Sequence, residues 1–311
     1  MQPLSTMSLS SGDLVADRRF EWARDCEAKG DLRGAADLLE QALELVPGYA
    51  SAWFTLGEIS EKLGERERAV AAYRKAREAD TEDRHGALVC LMRLGAADMS
   101  DMPQAYVRAL FDHYAPAFDL ALTAGLDYRA PALLRDAVEQ ACRTAGGPMR
   151  FGTMLDLGCG TGLAGEAFRA HVDRLVGVDL SPGMIAQARK KTIYDRLQAE
   201  DLSVFLAAEA ASGSLFHLAV AADVFVYCPD LAAILPAIAR VLETGGTLAF
   251  TVETHTGDGV ILRDTLRFAH SEAHVRAALD QAGLTLLSLQ PASTRTEKKS
   301  PVPGLLVVAG R

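Results

Sequence analysis

The stretch "TMLDLGCGTGLAGEAF", Thr153–Phe168, runs a short apolar segment into a glycine-rich turn and then into a helical pattern. Gly158, Gly160 and Gly162 allow the backbone to reverse sharply and to approach a ligand without an intervening Cβ, while the helix behind them points free N–H groups forward. A nucleotide-like ligand is implied. The substring "GTGLAG", Gly160–Gly165, formally matches the dinucleotide fingerprint G-x-G-x-x-G, with Asp179 at roughly the ~20-residue spacing of a ribose-binding acid. However, the strand "TMLDL" already ends before Gly158, so that fingerprint begins too late and the register D-x-G-x-G-x-G fits better.

Outward from this turn, strands and helices alternate. Strands are expected at Thr153–Leu157, Arg174–Asp179, near Leu197, Leu218–Ala222, Thr247–Thr254, Leu284–Gln290 and Gly304–Ala309, with helices at 163–170, 182–191, 231–242 and 271–282. Alternation of this kind implies an α/β fold, a mainly parallel sheet covered by helices, whose ligands bind beyond the carboxyl ends of the strands. Upstream, "QAYVRALFDHYAPAFDLALTAGLDYRAPALLRDAVEQACRTAGGP" reads as helical and "AADMSDMP" as a linker. The expected organisation is a flexible N-terminus at 1–12, a helical domain at 13–97 and an α/β domain at 103–311, the last divided into a helical cap (103–148) and a core (149–311).

A net charge of −9 argues against a general attraction to nucleic acid or acidic membranes. The five cysteines form no C-x-x-C pair, and neither a leader-like start nor an apolar run of ~20 residues stands out. A cytoplasmic protein, with no nucleic-acid or membrane partner, is the expectation.

From Asp13 to Gly95 the chain repeats. A shift of 34 residues places Gly30 on Gly64, Ala35 on Ala69, Leu39 on Tyr73, Ala42 on Ala76 and Trp22 on Leu56. Small residues let paired antiparallel helices approach, large ones fill the groove, and Pro47 breaks the chain between units. "SAWFTLGEISEKLGERERAVAAYRKAREAD" resembles a tetratricopeptide repeat through Trp53, Leu56, Gly57, Gly64, Ala69, Tyr73 and Ala76, and "DLRGAADLLEQALELVPGYA" resembles half of another. "RHGALVCLMRLG" is expected to be a capping helix, and Leu88, Val89, Leu91, Met92 and Leu94 make it more apolar than a solvent-facing cap should be. The resemblance implies either a protein partner or packing of the repeats on the catalytic domain or at a dimer contact.

The register Asp156-Leu-Gly158-Cys-Gly160-Thr-Gly162 resembles the first motif of class I S-adenosylmethionine-dependent methyltransferases, whose core is a Rossmann-like, seven-stranded, mainly parallel sheet. "LVGVDLSPGMIAQARKK" is similar to the second strand and helix of that family, "AEDL" to its third-strand end, and "FHLAVAADVFVYCPDLAAILPAIARVLETGGTLAFTVE" to its fourth and fifth strands. The resemblance implies S-adenosylmethionine as cofactor. It places Asp179 on the ribose hydroxyls with Leu180 and Met184 alongside, Asp201 against the adenine amino group and Leu202 against the ring. "FDHYAPAFD" looks like the helix that covers the cofactor, which suggests Tyr114 for the sulfonium and Arg129 for the methionine carboxylate.

Departures narrow the acceptor. The usual aspartate opening the fourth strand is His217, and Ala222-Asp223-Val224-Phe225 stands where base and amide methyltransferases carry Asn-Pro-Pro-Tyr, leaving Asp223 as a cofactor-side candidate. Methyl transfer from a sulfonium needs alignment and exclusion of water, and a base only for a protonated acceptor. Tyr227, Glu253, His255 and His270 stand at strand ends where such a group belongs. "THTGDGVILRDTLRFAH" is the expected acceptor-facing segment, and its Arg263 and Arg267 suit an anionic group. His270 and His274 share a helical face, but without a third ligand no metal is expected. Two alternatives remain open: an NAD-dependent oxidoreductase using Asp179, and a non-catalytic adaptor whose repeats bind a partner.

Overall fold

The structure is a computed structural model that describes residues 9–119, 127–297 and 299–311. Residues 1–8 of the expected flexible N-terminus lie outside the described residues. The chain forms two compact units: residues up to Leu110 with Asp264–Leu266, and Phe111–Arg263 with Arg267–Arg311.

In the first unit, α1 (Leu14–Ala28), α2 (Leu32–Leu45), α3 (Ala50–Lys62) and α4 (Arg66–Ala79) form two antiparallel pairs, followed by α5 (Ala87–Arg93). Each start has a local cause. Asp13 accepts from the N–H groups of Val15 and Ala16 at 2.8 and 2.9 Å, and Asp31 from that of Gly34 at 2.9 Å. The repeat signature is explained by packing, since a Cβ on Gly57 would come within 2.5 Å of the Tyr73 ring. The Tyr73 hydroxyl donates to Glu61 at 2.6 Å, and Arg93 of α5 donates to both oxygens of the same carboxylate at 2.6 and 2.7 Å. The capping helix is thereby locked on, with Ala87, Cys90 and Leu91 buried against Phe54, Tyr73 and Ala76.

Helix α6 (Gln104–Tyr114) runs across the division between the units. The second unit is built on a nine-stranded sheet, to which β1 (Phe151–Leu157), β2 (Val172–Asp179), β3 (Arg196–Ala199), β4 (Phe216–Ala221) and β5 (Leu242–Thr254) contribute a parallel set. Strands β6 (Val260–Leu262) and β7 (Phe268–His270) form a hairpin whose second strand pairs with β5, and β8 (Thr285–Ala292) joins antiparallel to the last strand. Strands β9 (Thr296–Glu297) and β10 (Ser300–Pro301) make a separate two-stranded ribbon before β11 (Gly304–Gly310), which lies antiparallel between β5 and β8. The principal path, β3-β2-β1-β4-β5-β11-β8, holds the seven strands expected of the class, and the hairpin adds the other two. The order in which the parallel strands are laid down reverses between β1 and β4, which makes their carboxyl ends the topological switch point.

The hairpin escaped sequence reading because each of its strands is three residues long. The helix Leu202–Ser212 escaped for another reason: "LSVFLAAEAAS" is apolar on nearly all sides, so although Phe205 and Leu206 are buried and Val204 exposed, no 3.6-residue stripe marks it.

Candidate active site

β1 ends at Leu157, so Gly158 is the first residue beyond the strand and "GTGLAG" starts two residues later. Gly158, Gly160 and Gly162 all have positive φ, at 60°, 53° and 96°, a region that glycine adopts without the cost a side chain incurs. A Cβ on Gly158 would also lie 2.6 Å from the Val224 side chain, so the turn and the end of β4 abut. Asp179, at the tip of β2, accepts the Gly160 N–H on one carboxylate oxygen and the Ser181 N–H on the other, both at 2.8 Å. Its exposure is 8%, and burial lifts its pKa to about 6 against the lowering effect of those two N–H groups. Each carboxylate oxygen has a second lone pair, which suits it to accept further hydrogen bonds from hydroxyls.

Asp156 is more deeply set. The Tyr194 hydroxyl donates to it at 2.6 Å, and burial raises its pKa to about 7, with Asp179 adding to the rise. Tyr194 was not singled out from the sequence. Its hydroxyl and ring lie where Cβ atoms on Gly165 and Gly177 would fall, 2.3 and 2.7 Å away, so these glycines make room for that tyrosine.

The segment from Phe111 to Asp119 covers the turn. Asp112 accepts from the Ser181 hydroxyl at 2.5 Å and the Gly183 N–H at 2.9 Å, and Asp119 takes the Thr161 hydroxyl and pairs with Lys191 at 3.1 Å. Phe118 meets Phe111 edge-on at 6.0 Å and Phe111 meets Tyr227 edge-on at 5.4 Å, which forms an aromatic line from the glycine turn toward the end of β4.

Beyond that line lies a cluster of charges. Arg295, 3% exposed, pairs with Asp223 at 3.2 Å and Glu297 at 3.1 Å and also with Glu253, itself 3% exposed. Arg267, 7% exposed, pairs with Glu297 at 2.8 Å, and Arg263 with Glu253 at 3.4 Å. Three guanidiniums thus face three carboxylates. Burial works against the charged form of Arg267, yet the Tyr227 hydroxyl and Glu253 hold its pKa above the ordinary value; burial likewise opposes ionised Glu297, but Arg295 and Arg267 draw its pKa down. The anions that Arg263 and Arg267 meet are therefore the chain's own. Glu297, in β9, and Arg295, just before it, were missed because only the fold brings them here.

Other expected site residues fall as follows. Asp223 adopts φ 55°, a costly conformation for a non-glycine residue, held by Thr251, Thr294 and Arg295. Asp201 caps the helix Leu202–Ser212 through the N–H groups of Ser203 and Val204, with Leu202 packed on the core. Met184 is buried and Leu180 half-buried. Burial raises the Tyr114 hydroxyl pKa, with Tyr227 close enough to add to it. The Arg129 side chain is largely exposed, 3.8 Å from Asp127. His255 accepts the Gly257 N–H and donates to the Gly259 carbonyl, so it braces a turn. His270 is fully buried and donates to the Cys228 carbonyl at 2.9 Å; burial lowers its pKa to about 4. Its ring stands 5.6 Å from that of His274.

With this geometry in place, comparison with known proteins finds a likeness within each part of the chain. A methyltransferase-domain family model matches residues 155–250, which span the glycine turn through most of β5, and a tetratricopeptide-repeat model matches residues 28–89. Over 87 residues the chain is 42% identical to Methyltransferase-like protein 27 of Homo sapiens, covering 28% of this chain and 34% of that protein. Over 152 residues it is 32% identical to malonyl-[acyl-carrier protein] O-methyltransferase of Serratia marcescens, covering 49% of this chain and 58% of that one. The chain thus spans about a third and under three-fifths of these curated relatives. Among solved structures, the N-methyltransferase NodS from Bradyrhizobium japonicum WM9 in complex with S-adenosyl-l-homocysteine aligns with a TM-score of 0.41 at 21% identity, covering 57% of this chain and 86% of that one. The sheet order and the glycine turn are Rossmann-like, and residues 155–250 within that unit match a methyltransferase domain. In this chain that domain follows tetratricopeptide repeats.

Proposed function

We propose that the chain is an S-adenosylmethionine-dependent methyltransferase that transfers a methyl group in line to a small-molecule or protein acceptor. The observation that carries this reading is the Asp179 carboxylate, suspended at the switch point by the N–H groups of Gly160 and Ser181 and short of compensation for its buried charge. Two ribose hydroxyls would supply that compensation. The residues fit the cofactor: a Cβ built on Gly160 would meet, among the described residues, only the Phe118 ring at 4.0 Å, so the turn is open there, and the register after β1 favours the methyltransferase motif over the dinucleotide one. The names of both curated relatives support methyl transfer in general.

When bound, the cofactor supplies a sulfonium-activated methyl group that needs no further activation. Asp179 would hold the ribose, Leu180 and Met184 would line it, and Asp201 and Leu202 would frame the adenine. Phe111, Phe118 and Tyr227 would exclude water along the path to the acceptor. Of the candidate bases, Glu253 is paired with Arg295, His255 has both ring nitrogens engaged and His270 is sealed from solvent, so Tyr227 is the best placed; its hydroxyl receives a long 3.4 Å hydrogen bond from Arg267 Nε. The closed charge cluster behind it favours an acceptor without a free carboxylate or phosphate at that point.

Calorimetric titration of the whole chain with S-adenosylhomocysteine and, separately, with NAD tests the reading. Binding of S-adenosylhomocysteine alone is expected. Binding of NAD alone would make the protein an oxidoreductase, and binding of neither would leave an adaptor built on the repeats.

A further inference from the structure

The outer face of α1 is unlike the face that its counterpart buries. Ala52, Leu56 and Ile59 of α3 are 0%, 3% and 0% exposed and share one core with Ala36, Leu39 and Leu43 of the preceding helix. The 34-residue repeat maps these three onto Arg18, Trp22 and Asp25 of α1, where no earlier repeat stands among the described residues. An ordinary terminal repeat is polar on that face. Here the polar substitution is interrupted at its centre, because Trp22 is 53% exposed and Val15, two turns earlier, is 55% exposed.

The exposed positions also read the same in both directions. Reversing the helix about the point between Glu21 and Trp22 exchanges those two, Arg18 with Asp25 and Val15 with Ala28, and all six of these residues are exposed. Neither Arg18 nor Asp25 is paired with an opposite charge among the described residues. Seven residues of helix separate them by about 10.5 Å along the axis. Two such helices packed antiparallel therefore bring each Arg18 level with the Asp25 of the other, with the two Trp22 side chains enclosed between the ion pairs. A self-complementary patch of this kind is what a two-fold interface requires.

We propose that the outer face of α1 is a homodimer contact, occupied by α1 of a second copy of this chain packed antiparallel. The proposal is independent of the catalytic reading. One helix face offers less area than a standard interface, so the dimer is a weak one, forming in the micromolar range.

Sedimentation equilibrium of the full chain between about 1 and 100 µM measures it. The parent is expected to associate to a dimer. Arg18→Asp sets aspartate against Asp25 twice per dimer and Asp25→Arg sets arginine against Arg18 twice, and each should weaken association about tenfold. An equimolar mixture of these two single variants restores both ion pairs across the heterodimer, and the double variant restores them within a homodimer; both should return to within about threefold of the parent. The sites are exposed, so circular dichroism should show unchanged helix in every variant. A parent that stays monomeric at 100 µM, single variants that dimerise as the parent does, or a mixture that fails to recover would each overturn the proposal.

Discussion

At the ends of β1 and β2 two aspartates are buried with no cation beside them among the described residues, whereas near the ends of β4 and β5 the buried Glu253 and the half-buried Asp223 and Glu297 meet three arginines, of which Arg267 and Arg295 are buried. Both regions pay the desolvation of charge, but only the second cancels it internally. The consequence for Asp156 and Asp179 is a pKa lifted to about 7 and about 6, and for Arg267 and Glu297 a charged form held more firmly than usual. A carboxylate left short of partners is one that a ligand can complete. A cluster that is already neutral and closed is a rigid wall, suited to shaping a pocket rather than to gripping an ion.

The largest effect should come from opening that wall. Arg295→Met leaves Asp223, Glu253 and Glu297 facing only two guanidiniums, and removal of one partner from a buried ionic set costs about 3–5 kcal/mol. The midpoint of urea unfolding should fall accordingly with little change in slope. A loss below about 1 kcal/mol would mean that water reaches these carboxylates, and the contrast between the two regions would disappear.

On the other side, the comparison sharpens through binding rather than folding. Asp179→Ala removes the proposed acceptor of two ribose hydrogen bonds, and S-adenosylhomocysteine should bind more weakly by about 2–4 kcal/mol, allowing for non-additivity. Because the variant also sheds a poorly compensated buried charge, its stability should fall much less than its affinity. Unchanged affinity in a folded variant would remove Asp179 from the cofactor site.

The two regions were also unequally legible. The glycine turn, Asp156 and Asp179 lie on one short run and the strand after it, and the cause of their pattern is local: positive φ at three glycines and acids at strand ends. The charge cluster draws on β4, β5, the β6–β7 hairpin and the β8–β11 connection, over more than 70 residues, so Arg263 and Arg267 read as ligand-facing cations until Glu253 and Glu297 are seen against them. Tyr194 was invisible for the same reason, since its value lies in Gly165, Gly177 and the Asp156 carboxylate, all contributed by other segments. The repeats were legible because their small and large residues recur at a fixed interval, as Gly57 and Tyr73 show.

The effect that is smallest at any one step, about 1 kcal/mol per pH unit, concerns proton linkage. A carboxyl group whose folded pKa lies above its unfolded value of about 3.9 binds more protons in the folded state, so its contribution is fully present below that value and is lost as pH rises through the folded pKa. For Asp156, at about 7 in the fold, the window runs from about pH 4 to pH 7. The whole protein will not display this plainly. His85 and His270, held by burial at a pKa of about 4, bind fewer protons folded than unfolded and so act with the opposite sign over much of the same window. The difference between the parent and Asp156→Asn isolates the aspartate: asparagine keeps an acceptor for the Tyr194 hydroxyl but does not titrate. Measured by urea unfolding at intervals between pH 4 and pH 8, the variant should gain on the parent by about 1 kcal/mol per pH unit up to pH 7 and then run parallel to it. A difference that stays flat from pH 4 to pH 7 would show that Asp156 ionises as easily as an exposed carboxylate, and its burial without a cation would then carry no cost for a ligand to relieve.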